Sequence, residues 1–250
     1  MPIRIMTWNI WSGKNWKDII RFVKNKKIEI MGFQEVDNNF RATTKFIDVC
    51  KTIADVLGFY YAYCPSIEIR KNDEIRQYGN CIISKFPILE HQRHFLSPDT
   101  HWDGKTPETE PRTLLETKIK IRNKILYFMT LHLAYAREFK STDVKLKQIK
   151  TVLKVIKKHK DRSIVLLGDF NSLPESQEIK EIEKYLINVD NKNKTWTMYD
   201  FNFRGWHVTK GLKYKIDYIF VSKDIKYKNL EVPKTGLSDH LPLMLVIDFK

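Results

Sequence analysis

Along this chain, short apolar runs alternate with polar segments. Runs of strand length recur at residues 3–8, 28–33, 59–63, 79–84, 113–121, 125–131, 164–167, 216–221 and 243–249. Their length and their β-branched and aromatic content favour strands over helices. Arg122-Asn123-Lys124, between two of them, suits a hairpin turn. Helical patterns fall between the strands. Phe46, Cys50, Ile53 and Leu57 form one apolar stripe, with Thr43 or Thr44 ahead of it and Gly58 behind it as start and stop signals. Residues 141–160 form a second amphipathic helix through Ile149, Val152, Leu153 and Ile156, and residues 16–26 and 175–186 read as shorter ones. Strand–helix alternation near both ends, with strand–strand connections between, predicts an α/β (α+β) fold of mixed sheets covered by helices. Residues 68–77 and 95–111 are polar and read as irregular, as do the stretches around Trp102, Trp196 and Trp206. No repeat or low-complexity linker interrupts the pattern, so residues 1–250 are read as one domain.

Composition adds limits. Hydrophobic residues make up 42% and charged residues 30%, enough apolar content for a sizeable core. No run approaches the roughly 18 apolar residues that a membrane span needs. No basic-then-apolar leader opens the chain, so a cytoplasmic location is expected. Cys50, Cys64 and Cys81 are odd in number and have no C-x-x-C pairing, which argues for three reduced, largely buried thiols. The formal charge of +14, from 44 Lys+Arg against 30 Asp+Glu, suits a polyanionic partner. Lysine bias alone produces such an excess, however. The basic stretch 145–160 reads as an ordinary helix with a solvated outer face.

The chemistry-bearing residues stand at the ends of the apolar runs: Asn9, Gln34-Glu35, His132, Asp169 and Asn171 within Gly168-Asp169-Phe170-Asn171, and Asp239-His240 just before the last run. Strand ends are where a rigid scaffold presents functional groups. Each has a plain structural alternative. Asn9 caps a turn, Glu35 faces solvent, Asp169 and Asn171 form an Asx turn into the following helix, and the histidines are hydrogen-bonded braces. Together they make a coherent set. Carboxylate and amide oxygens are hard ligands for Mg²⁺ or Mn²⁺. Histidine supplies an acid or base near neutrality, and an amide can hydrogen-bond phosphate oxygens as charge develops. Walker-type glycine loops and G-x-S-x-G elbows are absent, which excludes P-loop and serine-hydrolase chemistry.

The ordered segments Thr7-Trp8-Asn9-Ile10, Phe33-Gln34-Glu35-Val36, Tyr78-Gly79-Asn80, Thr130-Leu131-His132-Leu133, Gly168-Asp169-Phe170-Asn171, Lys215-Ile216-Asp217-Tyr218-Ile219 and Ser238-Asp239-His240-Leu241-Pro242 resemble the endonuclease/exonuclease/phosphatase superfamily. The resemblance implies a four-layer sandwich, two packed mixed β-sheets flanked by helices, with the site at one edge. It implies a Mg²⁺- or Mn²⁺-dependent phosphoric ester hydrolase with Glu35 as principal metal ligand and Asn9 and Asp239 beside it. By the same resemblance, His240 is expected to pair with Asp217, and Asp169 and Asn171 to align the attacking water and the phosphate. Whether Asp169 or His240 takes the water's proton stays open. His132 stands where the abasic-site branch carries a Tyr-x-Pro-Asn element, so the chain is more similar to deoxyribonucleases and sphingomyelinases. Asn80 corresponds to a residue that orients this histidine, and Arg112 to one that contacts phosphate. The alternative for both is a residue with no catalytic role. The expected substrate is nucleic acid acted on by a monomer, with a small or lipid-headgroup phosphate ester as the alternative.

Overall fold

Strands buried on both faces read as continuous apolar runs, and these runs form the centres of two sheets. The computed structural model of the chain describes residues 2–39, 44, 46–71, 74–97, 106, 109–192, 195–198 and 214–249. In the first sheet, β1 (Ile3–Ser12) lies parallel to β2 (Ile30–Asn38). It continues outward through β4 (Glu74–Ser84) to β3 (Tyr60–Lys71). On the other flank β1 pairs antiparallel with β12 (Leu243–Phe249), which pairs with β11 (Ile225–Glu231). The second sheet runs in the order β5 (Ile88–Phe95), β6 (Thr113–Ile121), β7 (Lys124–His132), β8 (Ser163–Asp169), β10 (Asp217–Val221) and β9 (Ile187–Asn188). Among the described residues each sheet has six strands, and each mixes parallel and antiparallel pairs.

The helices are α1 (Trp16–Lys26), α2 (Val49–Leu57), α3 (Asp143–Lys158) and α4 (Gln177–Glu183). Three apolar clusters define the layers. Ile5, Ile30 and Ile82 of the first sheet meet Leu115, Phe128 and Val165 of the second. Ile19, Val23, Cys50 and Ile53 of α1 and α2 cover the outer face of the first sheet. Ile149, Val152, Ile156, Ile179 and Ile182 of α3 and α4 cover the second. The expected helix–sheet–sheet–helix sandwich is therefore present. Burying a side chain the size of Phe128 between the sheets contributes roughly 1.5–3 kcal/mol. Gly32 lets the sheets approach: a Cβ there would sit 2.4 Å from Leu167 Cδ1 and 2.9 Å from Thr130 Cβ.

Four expectations change. The polar segment 68–77 is the far end of a long β3–β4 hairpin, with Glu68 paired to Gln77 and Lys71 to Glu74. α2 begins later than its stripe suggests, because Asp48 accepts from Lys51 N and caps it; Phe46 lies outside the helix and is exposed. Cys50 and Cys81 form a disulfide across 31 residues, with Cα atoms 6.2 Å apart, and Cys64 is the free thiol. The first turn of α2 packs on β4, a contact that spacing along the chain cannot reveal. Lys145, read as part of a solvated face, is fully buried. Trp102 and Trp206 lie outside the described residues, and Trp196 is half exposed.

Candidate active site

Sheet register assembles the centre of the site. His132 on β7 is paired with Asp169 on β8, and Asp169 with Asp217 on β10. Neighbouring strands lie about 4.8 Å apart, so three polar side chains stand in one row at the ends of three adjacent strands. Close backbone approach allows this: a Cβ on Gly168 would lie 2.1 Å from Leu131 O, and its φ of 145° favours glycine. Asn171 N donates to Asp169 Oδ1 at 2.9 Å. The Asx turn therefore exists, and it serves the site by fixing one carboxylate oxygen.

The first sheet supplies the opposite wall. Both ladders of β2 slip near Gln34-Glu35, between Phe33 and Val36 on one side and between Asn9 and Ser12 on the other. Glu35 takes a φ of 55° there. A bulge of this kind re-aims a side chain, and Glu35 Oε1 accepts from Asn9 Nδ2 at 3.1 Å. The same Nδ2 donates to Asp169 Oδ2 at 3.1 Å, while Asn9 Oδ1 accepts from Trp11 N at 3.2 Å. Asn9 thus joins the two sheets through two carboxylates. Ser238 Oγ lies 2.7 Å from Asn9 O and 3.0 Å from Asp239 Oδ1, tying the loop before β12 to β1.

The two histidines have opposite surroundings. His240 donates through Nδ1 to Asp217 Oδ2 at 2.8 Å, and its Nε2 lies 3.7 Å from Asp169 Oδ2. Burial is the largest single influence and favours the neutral ring, yet Asp217, Asp169 and Asp239 outweigh it and hold the ring well above its usual pKa. His132 Nδ1 lies 3.0 Å from Arg112 Nη1, which can only donate. Its Nε2 lies 3.0 Å from Asn171 Nδ2 and 3.3 Å from Asp169 Oδ2. Burial first, then the charges of Arg112 and His240, push His132 well below the usual value. Burial raises Asp169 to about 7, with His240 and its hydrogen bonds opposing and Asp217 adding to the rise.

A divalent cation fits the donor set beside this centre. Burial raises the Asp239 carboxyl, and the negative charge of Glu35 raises it further. Neither group forms an ion pair with Lys or Arg among the described residues. The charge of His240 offsets the rise in Asp239 only in part, and a hard cation held by the two carboxylates would relieve their repulsion. Asn9 as placed turns its amide nitrogen, rather than its oxygen, toward Glu35. Ligand atoms of Asp169, Asp217 and His240 also lie within 4.8 Å of one another. There, however, the His240–Asp217 hydrogen bond already occupies one nitrogen and one oxygen.

All ten expected residues can be placed, and nine converge, Asn80 being the exception. Arg112 is buried, ion-paired with Glu110 at 3.2 Å, and it braces His132. Asn80 donates to Thr113 O at 2.8 Å, so the brace on His132 comes instead from Arg112, which donates to Nδ1, with Asp169 Oδ2 3.3 Å from the ring's Nε2. Sequence reasoning singled out Gln34 but not its contact, and missed Trp8 and Lys145 as supports. Gln34 Nε2 reaches across the sheets to Thr130 Oγ1 at 2.7 Å, Trp8 Nε1 donates to His240 O at 2.9 Å, and Lys145 lies beneath the Asn171 turn. A buried tryptophan inside an apolar run carries the same strand signal as its neighbours, so its donor is not visible from the pattern.

A cavity of about 410 Å³ lined by Trp11, Lys14, Asn15 and residues 236–239 opens beside Asp239. A larger one, about 720 Å³, lies at the opposite strand ends near Arg4 and Phe59, remote from the acid–base groups. No helix among the described residues is long and apolar enough to cross a membrane.

Comparison with solved structures gives the same architecture at low identity. An endonuclease/exonuclease/phosphatase from Bacteroides vulgatus aligns at TM-score 0.78 and 18% identity, covering 100% of both chains. The Bacteroides thetaiotaomicron mannosyl-6-phosphatase Bt3783 aligns at 0.71 and 19%, covering 99% of this chain and 100% of that one. D. rerio TDP2 complexed with single-strand DNA product aligns at 0.69 and 15%, covering 99% of each. No curated protein matches the sequence. The model of the Endonuclease/Exonuclease/phosphatase family matches residues 6–240, nearly the whole chain, and the chain belongs to that family.

Proposed function

We propose that the chain hydrolyses phosphodiester bonds in DNA or RNA, using a divalent cation held by Glu35 and Asp239 with Asn9 beside them. The observation that carries phosphoester hydrolysis is one buried carboxyl between two unlike histidines. Asp169 Oδ2 lies 3.7 Å from Nε2 of His240, which Asp217 favours in its protonated form. It lies 3.3 Å from Nε2 of His132, which burial and Arg112 favour as neutral, while burial pushes Asp169 itself up to about 7. Environments that push titratable groups apart define acid and base roles. Asp169 is the group able to take a proton from water near neutrality. His240, already protonated and oriented by Asp217, cannot take it and instead offers its Nε2 proton to a phosphate oxygen. Asn171 and His132 fix the far side of the phosphate position. The bound Mg²⁺ or Mn²⁺ would neutralise phosphate oxygen charge.

The +14 charge supports a polyanionic substrate. The structural likeness to a mannosyl-6-phosphatase favours a second reading, a small phosphate monoester. The test is an assay against plasmid, single-stranded DNA, RNA, a sugar 6-phosphate, inositol phosphates and sphingomyelin with Mg²⁺ or Mn²⁺. Cleavage of polynucleotide, abolished by EDTA and restored by Mg²⁺, supports the first reading. Hydrolysis of the sugar phosphate alone replaces it with the second.

A further inference from the structure

We infer that Lys145 is a positioning residue: its buried ammonium holds the Asn171 turn in the geometry that presents the Asn171 amide to His132 and the phosphate position. The inference rests on the role proposed for Asn171.

Lys145 lies in the first turn of α3 and has no exposed surface. Its ammonium has three N–H donors and three acceptors: Asn171 O at 2.8 Å, Ser172 Oγ at 3.1 Å and Phe139 O at 3.3 Å. All three acceptors are neutral, and two belong to the turn that follows β8. Asn171 has a φ of 46°, a left-handed conformation that an isolated residue does not favour. The next peptide is held as well, since Tyr218 Oη donates to Ser172 O at 2.8 Å. With Asn171 N bound to Asp169 Oδ1, the turn is fixed at both backbone ends. Its side-chain amide lies 3.0 Å from His132 Nε2 and donates to Leu133 O at 3.1 Å.

A buried cation on neutral acceptors is a poor way to stabilise a core. Desolvating an ammonium is costly, and an apolar side chain of similar volume often serves stability equally well. Burial pushes Lys145 down to about 8, with Glu178 and Asp169 pulling the other way, which marks the same cost. What the ammonium supplies, and methionine would not, is direction: it draws the Asn171 carbonyl inward and turns the amide outward. Displacing a catalytic group by about 1 Å can cost on the order of 10²-fold in rate.

The test compares wild type, Lys145→Met, Lys145→Gln, Asn171→Ala and the Met–Ala double variant on bis(4-nitrophenyl) phosphate with Mg²⁺. Lys145→Met is expected to lower kcat by about 10- to 100-fold with KM nearly unchanged. Lys145→Gln, which keeps two donors, should fall between it and wild type. Because Lys145 acts through Asn171, the double variant should be no slower than Asn171→Ala. In the metal-free protein, the Asn171 side-chain amide signal of ¹⁵N-asparagine-labelled samples should lose its protection from exchange in Lys145→Met. Near-wild-type kcat in Lys145→Met, additive losses in the double variant, or an unchanged amide signal would each overturn the inference. If wild type hydrolyses no phosphoester, the proposed function fails, and the amide signal still decides whether Lys145 holds the turn.

Discussion

His132 and His240 flank the same carboxyl, yet the chain surrounds them with opposite chemistry. His240 faces Asp217 and Asp169, whereas His132 faces Arg112 and the Asn171 amide. Both rings are buried, so burial alone would make both neutral. The difference shows that neighbours, rather than residue type, assign the roles. In the proposed mechanism, one imidazole is a fixed cation for an anionic transition state. The other, in the same proposal, is a neutral ring beside Asp169, 3.3 Å from its Oδ2. Asp169, between them, becomes the group that titrates near neutrality.

Removing the shared carboxyl breaks the comparison most severely. Asp169→Asn is expected to lower kcat by about 10⁴-fold, the upper end for a general base, without altering the fold seen by circular dichroism. His240→Ala follows, slowing turnover by about 10² to 10⁴ while substrate affinity changes less. A thermal unfolding scan separates this from simple loss of folding. Asp217→Asn keeps the ring but removes its strongest acceptor. Turnover should fall about 10-fold, and the pH range over which His240 stays protonated should shrink from its alkaline side.

The same substitution tests the linkage to stability. A His240 pKa raised in the folded state contributes stability that is complete below about 6.5 and lost as pH rises through the folded value. Asp217→Asn should therefore reduce the alkaline decline in Tm of the metal-free protein. His132 has the reverse sign: its contribution is complete above about 6.5 and lost as pH falls through the depressed folded value. Arg112→Met, the mildest change, should move the His132 pKa upward and alter kcat only a few-fold, read by titrating the ring and by steady-state assay.

The site residues were legible because each stands at the end of an apolar run, where register brings distant strands together. The central strands were legible for the same reason. β5 and β11 were not, because edge strands carry solvated side chains such as Glu90, Gln92, Lys226 and Lys228 and lack an apolar pattern. Of the partners that decide charge, Asp217 was legible only through the family resemblance, and the Arg112 contact with His132 was not legible at all. Arg112 is 20 residues from His132, and Asp217 is 23 from His240. Lys145 sits in a run of lysines that reads as a wet helix face, and only α3's packing on the Asn171 turn shows that its ammonium is enclosed.

The most direct test of the opposed histidines is an NMR measurement of imidazole nitrogen shifts in the metal-free protein at neutral pH. The account predicts that His240 shows both ring nitrogens protonated while His132 shows one bare nitrogen, and that this difference persists from pH 6 to pH 8. Two rings titrating together near 6.5 would contradict it.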